Sequence, residues 1–488
     1  MTLGQNSPGR DLKVRYLLLG GAMLLGLIVL AVRLYRLQIT RGEEFAAKSV
    51  ENFVKELRIP ADRGMVLDAT GRTLVDSRPS FDVLVTPAFC GPKCADEVLP
   101  KLGARLGWDS LQLDDALSMF SKVKRNAPFR PVPIKIDISR EQAELLDAHR
   151  AELPGIEVRA SPHRNYRAGA VLSHVVGYMN EITQEELDRL NGPETPYWLG
   201  DYIGRRGIEK AFEKMLRGRD GERKQVVDAR GQPIPGLTEL VGGADYSEPY
   251  PGNNVILSID MRLQEEADRA FPGKAGAVVA VDVRTGFILA MLSKPGFDPN
   301  LLTGRITPAQ MAELVKDPLK PMMNRATAMH YSPGSTFKVV TALAALREGV
   351  MGPHTVVNCP GGYRLGSRVW RCWKPGGHGL KDARGALQHS CDTWYYRAAD
   401  LMGIDAIARE GRELGLGAAT GIGALLEEPG IMPDSHYHDR VTPGGYTKGM
   451  ALNTAIGQGD VNVTPLQLAM VYATLANGGK LYQPQLVR

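Results

Sequence analysis

The chain has 488 residues, which is too long for one ordinary domain and predicts two or three folded units. Its formal net charge is only +5, and no basic patch is interleaved with aromatic residues. Composition and charge therefore argue against nucleic-acid binding.

The first predicted element is an uncharged apolar run from Tyr16 to Val32. This run is at the short end of a bilayer span, but flanking arginines can extend it by snorkelling. Three basic residues precede it and no small-residue cleavage site follows, so a signal anchor is favoured over a cleaved signal peptide. We predict a cytoplasmic tail over 1–13, one transmembrane anchor over 14–39, and the rest of the chain outside the membrane.

Residues 40–248 have the patterns of a mixed α/β spacer or docking module with few candidate catalytic groups. Within it, residues 40–57 predict a helical stalk that leaves the membrane. The segment GMVLDATGRTLVDS predicts two strands joined at Thr70–Gly71, FDVLVTP predicts another strand, and SREQAELLDAHRAEL predicts a helix. Cys90 and Cys94 lie in a Gly-Pro loop, which favours a local disulfide over two free thiols.

The character of the chain changes at 249–488, where strands come first and helices follow. The segment AGAVVAVDVRTGFILAMLSK predicts two strands joined by a turn at Arg284-Thr285-Gly286. The segments GSTFKVVTALAALREG, ALQHSCDTWYYRAADLMG, IDAIAREGREL and TPLQLAMVYATLANGG then predict helices. Strands followed by a helical block in one large domain predict an α+β fold.

The segment SPGSTFK at 332–338 places Ser335 three residues before Lys338, at the start of an apolar helix. Positions i and i+3 are neighbours on one helical face, so the hydroxyl and the amine can touch. A serine becomes a nucleophile when a base takes its proton, and a buried lysine can be that base. Taken alone, however, the pattern favours a helix-capping Ser335 and a solvated Lys338.

A second pair of polar residues follows in HSCDTWYY, where Ser390 and Asp392 stand two positions apart. In an extended or turn segment they face the same side, while Cys391 faces the other. The aromatic residues around this pair, by contrast, favour core packing over substrate stacking; they are Trp370, Trp373, Trp394, Tyr395 and Tyr396. The glycines of GQG at 457–459 would let the backbone approach the site closely.

These two motifs resemble those of the penicillin-recognising serine acyltransferases. The segments RIPADRGMVLDATGRTL, GRRGIEKAFEKMLRGRDG, GAVVAVDVRTGFILAMLSKPGFDPN and GQGDVNVTPLQLAMVYATLANGG are similar to class B penicillin-binding proteins. The likeness spans nearly the whole chain from the membrane segment on. Most members have Ser-x-Asn as the second motif, and the Ser-x-Asp found here resembles the elongation-type members.

The resemblance implies an elongated pedestal that carries a penicillin-binding/β-lactamase-like D,D-transpeptidase domain, which cross-links peptidoglycan. Carried onto this sequence, Ser335 would attack the D-Ala–D-Ala carbonyl of a stem peptide, and β-lactams would acylate it. Lys338 would take the serine proton, Ser390 would relay a proton to the leaving D-Ala, and Asp392 would hold the lysine and the substrate amide. A carboxylate near Lys338 favours the ammonium form, so we expect the lysine to depend on burial or on substrate binding to lose its proton.

The resemblance also implies a location and partners. They are a single-pass position in the bacterial inner membrane with the bulk of the chain periplasmic, a SEDS-type (RodA-like) glycosyltransferase, and elongation scaffold proteins.

One feature of the family pattern is missing from this sequence. Members carry a Lys-Thr-Gly or Lys-Ser-Gly triplet on a strand that lines the site and binds the substrate carboxylate. No such triplet follows Ser390, and YTKGM at 446–450 has the letters in the wrong order. We therefore expect the transpeptidase domain to lack its C-terminal part here. A catalytically incomplete scaffold that activates a glycosyltransferase stays an alternative, whereas a β-lactam sensor or hydrolase fits poorly.

A second constellation consists of Cys359, Cys372, His378 and Cys391. Three thiols and one imidazole make a full tetrahedral ligand set for structural zinc, although the spacing is not that of a zinc finger. The competing interpretation is a Cys359–Cys372 disulfide with a buried free Cys391. Some elongation-type members are similar in holding a metal near the second motif. A metal here would brace Ser390 and Asp392 from behind.

Overall fold

The structure is a computed structural model that describes residues 9–43, 45, 54–126, 128–129, 131–190, 192, 197–198, 200–226, 246–304, 306 and 308–488. The chain divides into two compact units. The first unit combines Met1–Ala61 with Arg219–Tyr250, and the second combines Asp62–Gly218 with Pro251–Arg488.

Helices and strands alternate in the first half of the chain, and helices dominate the second half. The α-helices are α1 (Gly9–Tyr35), α2 (Pro87–Cys90), α3 (Leu99–Leu106), α4 (Ser110–Asn126), α5 (Arg140–Ala148), α6 (Ser173–Val176), α7 (Gln184–Leu190), α8 (Gly207–Ala211), α9 (Glu213–Leu216), α10 (Met261–Ala270), α11 (Pro299–Leu302), α12 (Pro308–Lys316), α13 (Lys338–Arg347), α14 (Ala383–Gln388), α15 (Asp392–Glu413), α16 (Ser435–Val441), α17 (Lys448–Ala455) and α18 (Pro465–Ala476). The strands are β1 (Val54–Ile59), β2 (Val66–Leu67), β3 (Thr73–Val85), β4 (Val132–Ile138), β5 (Ile156–Tyr166), β6 (Met179–Glu181), β7 (Tyr202–Gly204), β8 (Gly221–Val226), β9 (Tyr246–Ser247), β10 (Val255–Ile256), β11 (Gly276–Val281), β12 (Ile288–Lys294), β13 (Val357–Cys359), β14 (Gly362–Leu365), β15 (Arg368–Arg371) and β16 (Gly379–Lys381). Short π-helices cover Arg36–Thr40 and Cys94–Val98, and 3₁₀ turns cover Arg150–Glu152, Gly169–Leu172 and Gly334–Phe337.

The first unit contains a long apolar helix and a small sheet. The stretch Val14–Thr40 is long and apolar enough to cross a membrane, with a mean hydropathy of 2.4. It fits a single-pass membrane anchor, in agreement with the span predicted at 14–39.

The three strands of this unit form an antiparallel sheet in the order β1-β8-β9. The helical stalk predicted over 40–57 is therefore wrong at 54–57, where the chain is strand β1. Its partner β8 begins more than 160 residues later, with Ile59 opposite Gly221, so a local pattern could not reveal the pairing. Residues 44 and 46–53 of that stalk lie outside the described residues.

The pedestal part of the second unit is built on a five-stranded sheet, in which β3 pairs with β2, β4 and β5. The turn predicted at Thr70–Gly71 is present, and Gly71 takes a positive φ of 88° that favours glycine. The two strands predicted at TLVDS and FDVLVTP are one continuous strand, Thr73–Val85, because β5 pairs along its length. The predicted disulfide between Cys90 and Cys94 is confirmed.

An ion cluster is buried in the same pedestal. Glu209 is fully buried, and it accepts hydrogen bonds from Arg63 Nε at 2.8 Å and Arg164 Nε at 2.7 Å. Burial raises the pKa of Glu209, but the charges of Arg63 and Arg164 outweigh this and hold the pKa below its ordinary value. Three chain segments far apart in sequence are thus joined by one network of charge-assisted hydrogen bonds.

The remainder of the second unit, Pro251–Arg488, confirms the predicted α+β fold. The antiparallel hairpin β11–β12 packs against α10 and α18, and α15, the longest helix described in this region, lies in the core beside α13 and α17. Trp394 and Tyr395 on α15 are completely buried. Two helices were predicted around Gly403, and this residue does interrupt α15 with a φ of 79°.

Candidate active site

Ser335 lies in the 3₁₀ turn Gly334–Phe337, directly before the first residue of α13. The turn is fixed by a hydrogen bond from the Gly334 N–H to the Gly457 carbonyl, at 2.8 Å. A Cβ on Gly457 would come within 2.1 Å of the Gly334 oxygen, so only glycine permits this approach. The predicted role of the GQG segment is confirmed at this position, and the Ser335 residue itself is exposed.

Lys338 begins α13 and is buried, with a side chain that is 1% exposed. Its Nζ donates to three oxygens: Ser390 O at 2.9 Å, Ser390 Oγ at 2.9 Å and Asp392 Oδ1 at 2.5 Å. The face of the Tyr395 ring lies 5.4 Å from the same nitrogen. The interpretation of Lys338 as a solvated surface charge is therefore wrong.

Ser390 connects the lysine to the nucleophile. Its Oγ lies 2.8 Å from Ser335 Oγ and 2.9 Å from Lys338 Nζ. We expected the hydroxyl of Ser335 and the amine to touch directly, but the hydrogen-bonded path between them runs through Ser390. Ser390 has a φ of 49°, which is uncommon for a residue other than glycine, and strain of this kind is typical of functional sites.

Asp392 is the first residue of α15 and is largely buried. Its Oδ1 accepts from Lys338, while its Oδ2 accepts the backbone N–H of Trp373 at 2.9 Å. The carboxylate also lies at a helix N-terminus, where negative charge is favoured. As the spacing of Ser390 and Asp392 predicted, both side chains reach the same nitrogen.

Trp373 is a site residue that sequence reasoning missed, because core packing was expected for it. Trp373 is 63% exposed, and its indole Nε1–H donates to Ser390 O at 3.0 Å and to His389 O at 3.2 Å. The same carbonyl of Ser390 accepts from Lys338, so Trp373 positions the second motif from the solvent side. Core packing is confirmed for Trp394, Tyr395 and Tyr396, which are buried.

The four predicted metal ligands also converge. One ligand atom from each of Cys359, Cys372, His378 and Cys391 can be chosen so that all four lie within 4.8 Å of one another. The sulfurs of Cys359 and Cys372 lie 3.7 Å and 3.5 Å from His378 Nδ1. Zinc–ligand bonds of about 2.0–2.3 Å in a tetrahedron place neighbouring donors roughly 3.3–3.8 Å apart, and both of these distances fall in that range, so the residues fit such an ion.

The three cysteines of this cluster are free and buried, so the competing interpretation of a Cys359–Cys372 disulfide is wrong. Burial raises the pKa of the Cys359 thiol. Hydrogen bonds, of which the one with Thr393 has the largest effect, outweigh burial and lower the pKa to about 6. Burial raises the pKa of Cys391 to about 12. Because Cys391 separates Ser390 from Asp392, the cluster lies directly behind the second motif.

The arrangement defines a class of protein. An exposed serine is linked through a second serine to a buried lysine and a carboxylate on an α+β domain. These are the catalytic groups of a serine acyltransferase. Comparison with known families agrees: residues 276–488 match the family described as penicillin binding protein transpeptidase domain, and residues 58–257 match the penicillin-binding protein dimerisation domain.

Individual relatives narrow the class. The chain is 32% identical over 463 residues to the peptidoglycan D,D-transpeptidase MrdA of Escherichia coli, covering 94% of this chain and 71% of that one. A penicillin-binding protein PBP2 from Helicobacter pylori, solved in complex with MreC, superimposes with a TM-score of 0.78 at 27% identity, covering 89% of this chain and 79% of that one. A chain from a structure titled as the coordination of polymerization and crosslinking by a peptidoglycan synthase complex gives a TM-score of 0.68 at 31% identity, covering 97% and 79%. This chain belongs to the class B penicillin-binding proteins.

Proposed function

We propose that this protein is a peptidoglycan D,D-transpeptidase that cross-links stem peptides during cell elongation through an acyl-enzyme on Ser335, and that β-lactams inhibit it. The observation that supports the proposal is the continuous hydrogen-bonded path Ser335–Ser390–Lys338–Asp392. A serine at the exposed end of the path can meet substrate, while the lysine at the other end is shielded from water.

Acylation uses the path in one direction. The three oxygens around Lys338 match the three N–H donors of an ammonium, so one proton must leave before the lysine can act as a base. The neutral amine then takes the Ser335 proton through Ser390 Oγ, the hydroxyl that lies between them. Ser335 Oγ then bonds to the carbonyl carbon of the penultimate D-alanine, and the bond from that carbon to the terminal D-alanine nitrogen breaks.

The proton then travels in the opposite direction. Ser390 passes it to the nitrogen of the leaving D-alanine, and Lys338 restores the Ser390 proton. Asp392 stabilises the ammonium that exists between these two transfers, and it also holds Trp373 in place. In the second half-reaction an amine of a neighbouring stem peptide attacks the ester carbon, the ester bond breaks, and Ser335 Oγ regains a proton.

Covalent labelling tests the proposal. The wild-type protein is expected to form an adduct with fluorescent penicillin whose mass maps to Ser335, and Ser335→Ala is expected to form none. Ser332→Ala is the matched control, because Ser332 is also exposed and lies three residues earlier on the same segment. Labelling that survives in Ser335→Ala, or no labelling of the folded wild type, contradicts the proposal.

For the location, we infer a single-pass inner-membrane protein with a cytoplasmic N-terminus and a periplasmic bulk. The apolar stretch Val14–Thr40 and the basic residues before it support this orientation. A reporter fused at Arg488 that is active only in the periplasm is expected to be active, and inactivity would reverse the orientation.

For the partners, we infer a SEDS-type, RodA-like glycosyltransferase and elongation scaffold proteins. The similar chains solved with MreC and in a peptidoglycan synthase complex support this. Co-expression followed by purification in detergent is expected to recover the glycosyltransferase with this chain. Recovery equal to that of an unrelated single-span protein contradicts the pairing.

For the Cys/His cluster, we propose a structural zinc ion held by Cys359, Cys372, His378 and Cys391. Four protein ligands would leave no open position, so the ion would support the second motif without taking part in the reaction. Elemental analysis is expected to find about one zinc per chain and to find none in Cys372→Ser. A wild-type protein that is folded and free of metal after expression with zinc contradicts the proposal.

A further inference from the structure

The aromatic ring of Tyr395 contacts Lys338 but has no role in the mechanism above. Lys338 Nζ lies over the face of this ring, 5.4 Å from its centroid, which is within the range of a cation–π interaction. Tyr395 follows Asp392 by three residues on α15, so one turn of this helix presents both a carboxylate and an aromatic face to the same amine.

This contact between the ring and the amine is shielded from water. Tyr395 is completely buried, and the side chain of Lys338 is 1% exposed. A cation–π interaction is stronger at such a site than at the protein surface, because water does not compete for the cation. The ring of Tyr395 therefore stabilises the charged form of Lys338 relative to the neutral form.

The hydroxyl of Tyr395, by contrast, is not used for hydrogen bonding. It is buried and has no hydrogen-bond partner among the described residues. Burial, followed by the nearby Cys391 and Tyr472, holds the pKa of Tyr395 above its ordinary value, so the phenol stays neutral. A buried donor without a partner costs stability. The ring face, and not the hydroxyl, is thus the part of Tyr395 that acts on the lysine.

Asp392 is the other group that favours the ammonium form of Lys338. Within the part of the chain that the structure describes, it is the carboxylate that forms an ion pair with this lysine. Ser390 adds an uncharged carbonyl and an uncharged hydroxyl. The Tyr395 ring can be changed while these three hydrogen bonds stay in place, so its effect can be separated from theirs.

We propose that Tyr395 is a positioning residue, whose ring face sets the pH at which Lys338 loses the proton that it must release before acylation. The inference rests on the proposed transpeptidase function and adds a residue to its site. The ring acts only through the lysine, and no bond to Tyr395 forms or breaks. Without the ring, the lysine loses its proton at lower pH but is then a weaker base for Ser335.

The test measures how the rate of acylation by penicillin depends on pH. Tyr395→Phe keeps the ring and is expected to keep the profile. Trifluorophenylalanine in place of Tyr395 keeps the shape of the ring but removes most of the negative charge from its face. With this residue, the midpoint of the rise in rate is expected to move down by about one pH unit, and the plateau at high pH to fall about threefold. The two profiles therefore cross, whereas a damaged fold lowers the rate at every pH.

Further variants separate the ring face from a general disturbance of the core. Tyr395→Leu removes the aromatic face and is expected to shift the midpoint in the same direction. If this smaller side chain prevents folding, the trifluorophenylalanine variant still decides the question, because its ring fills the same space. Tyr396 is the matched control, since it is also buried on α15 and its hydroxyl donates to Arg371 O. Phenylalanine and trifluorophenylalanine at that position are expected to give the same midpoint.

A midpoint in the trifluorophenylalanine variant of Tyr395 that lies within about 0.3 pH units of that in Tyr395→Phe overturns the inference, and so does an equal shift at Tyr396. If wild-type Ser335 is not acylated, the proposed function has failed, and NMR of isotope-labelled lysine follows Lys338 directly. Loss of the Lys338 proton at lower pH in the trifluorophenylalanine variant than in Tyr395→Phe then supports the role of the ring, and equal values overturn it.

Discussion

Two buried charge clusters among the described residues differ in a way that separates a structural role from a catalytic one. In the pedestal, Glu209 is matched by Arg63 and Arg164, and both arginine side chains are at most 8% exposed. In the catalytic domain, Lys338 is matched by Asp392, but it also contacts Ser390 Oγ, which leads to the exposed Ser335. Both clusters meet the cost of burying charge by hydrogen bonding. Only the second connects its charge through hydroxyl groups that can lose and gain a proton.

The largest expected effect breaks the catalytic cluster. Lys338→Met keeps a long apolar side chain but removes the base, so the rate of penicillin acylation is expected to fall about 10²–10⁴-fold. Stopped-flow or gel-based labelling measures this rate, and circular dichroism checks that the variant is folded. An acylation rate near that of the wild type would show that Lys338 does not take the serine proton.

Breaking the pedestal cluster is expected to act on stability instead. Glu209→Gln leaves Arg63 and Arg164 without their shared carboxylate, and the free energy of unfolding is expected to fall by about 3–5 kcal/mol. Chemical denaturation measures it. The control is Glu97→Gln, an exposed residue paired with Lys93, for which no measurable change is expected. A free energy of unfolding in Glu209→Gln equal to that of the wild type would show that this cluster does not stabilise the fold.

Another ionisable group, His174, sharpens the comparison because it is half-buried and no carboxylate among the described residues is paired with it. Burial lowers the pKa of His174 to about 4, and neighbouring Arg325 and Arg206 lower it further. The unfolded chain binds this proton at higher pH than the folded one, so the stability contributed by neutral His174 is present above about pH 6.5. It is lost at up to about 1.4 kcal/mol per pH unit as the pH falls toward 4.

The measurement for His174 is the free energy of unfolding across this pH range in the wild type and in His174→Gln. The variant is expected to lose part of the pH dependence between 6.5 and 4, whereas His354→Gln, at an exposed position, is expected to keep it. If the free energy of unfolding depends on pH in the same way in the wild type and in His174→Gln, His174 is not the source of this pH dependence.

The smallest expected effect concerns Trp373. Trp373→Phe keeps the ring and the backbone N–H that binds Asp392, but it removes the indole N–H that binds the Ser390 carbonyl. Losing one neutral hydrogen bond predicts an acylation rate about 3–10-fold lower, with unchanged melting temperature. Trp198→Phe, an exposed tryptophan of the pedestal, is the control. An unchanged rate in Trp373→Phe would mean that the indole only covers the site.

Local patterns in the sequence predicted the elements whose causes are local. The turn at Thr70–Gly71, the break at Gly403, the Cys90–Cys94 disulfide and the apolar N-terminal helix each depend on a few adjacent residues. Strand β1 was mistaken for a helical stalk because its partner β8 is remote in the sequence. A strand is stabilised by its neighbour in the sheet, and the neighbour is chosen by the fold.

The candidate site shows the same division. The spacing Ser-x-x-Lys and the pair Ser390 and Asp392, taken together with the family resemblance, predicted four residues that the structure brings together. Spacing did not reveal that Ser390 stands between Ser335 and Lys338, nor that Trp373 faces solvent above the Ser390 carbonyl. Both depend on the φ of Ser390 and on the path of the loop between β15 and β16, which no short motif encodes.

The sequence by itself determined which reactive side chains this protein contains and which of them are neighbours along one helix or one turn. It also determined the membrane segment, the α+β class and the membership of four thiol and imidazole ligands in one short stretch. Only the tertiary structure decided which hydroxyl, amine and carboxylate groups are hydrogen-bonded to one another and which buried charges are matched. Hydrogen bonds and charge interactions act over a few ångströms in space, and residues separated by tens or hundreds of positions reach that distance only when the chain has folded.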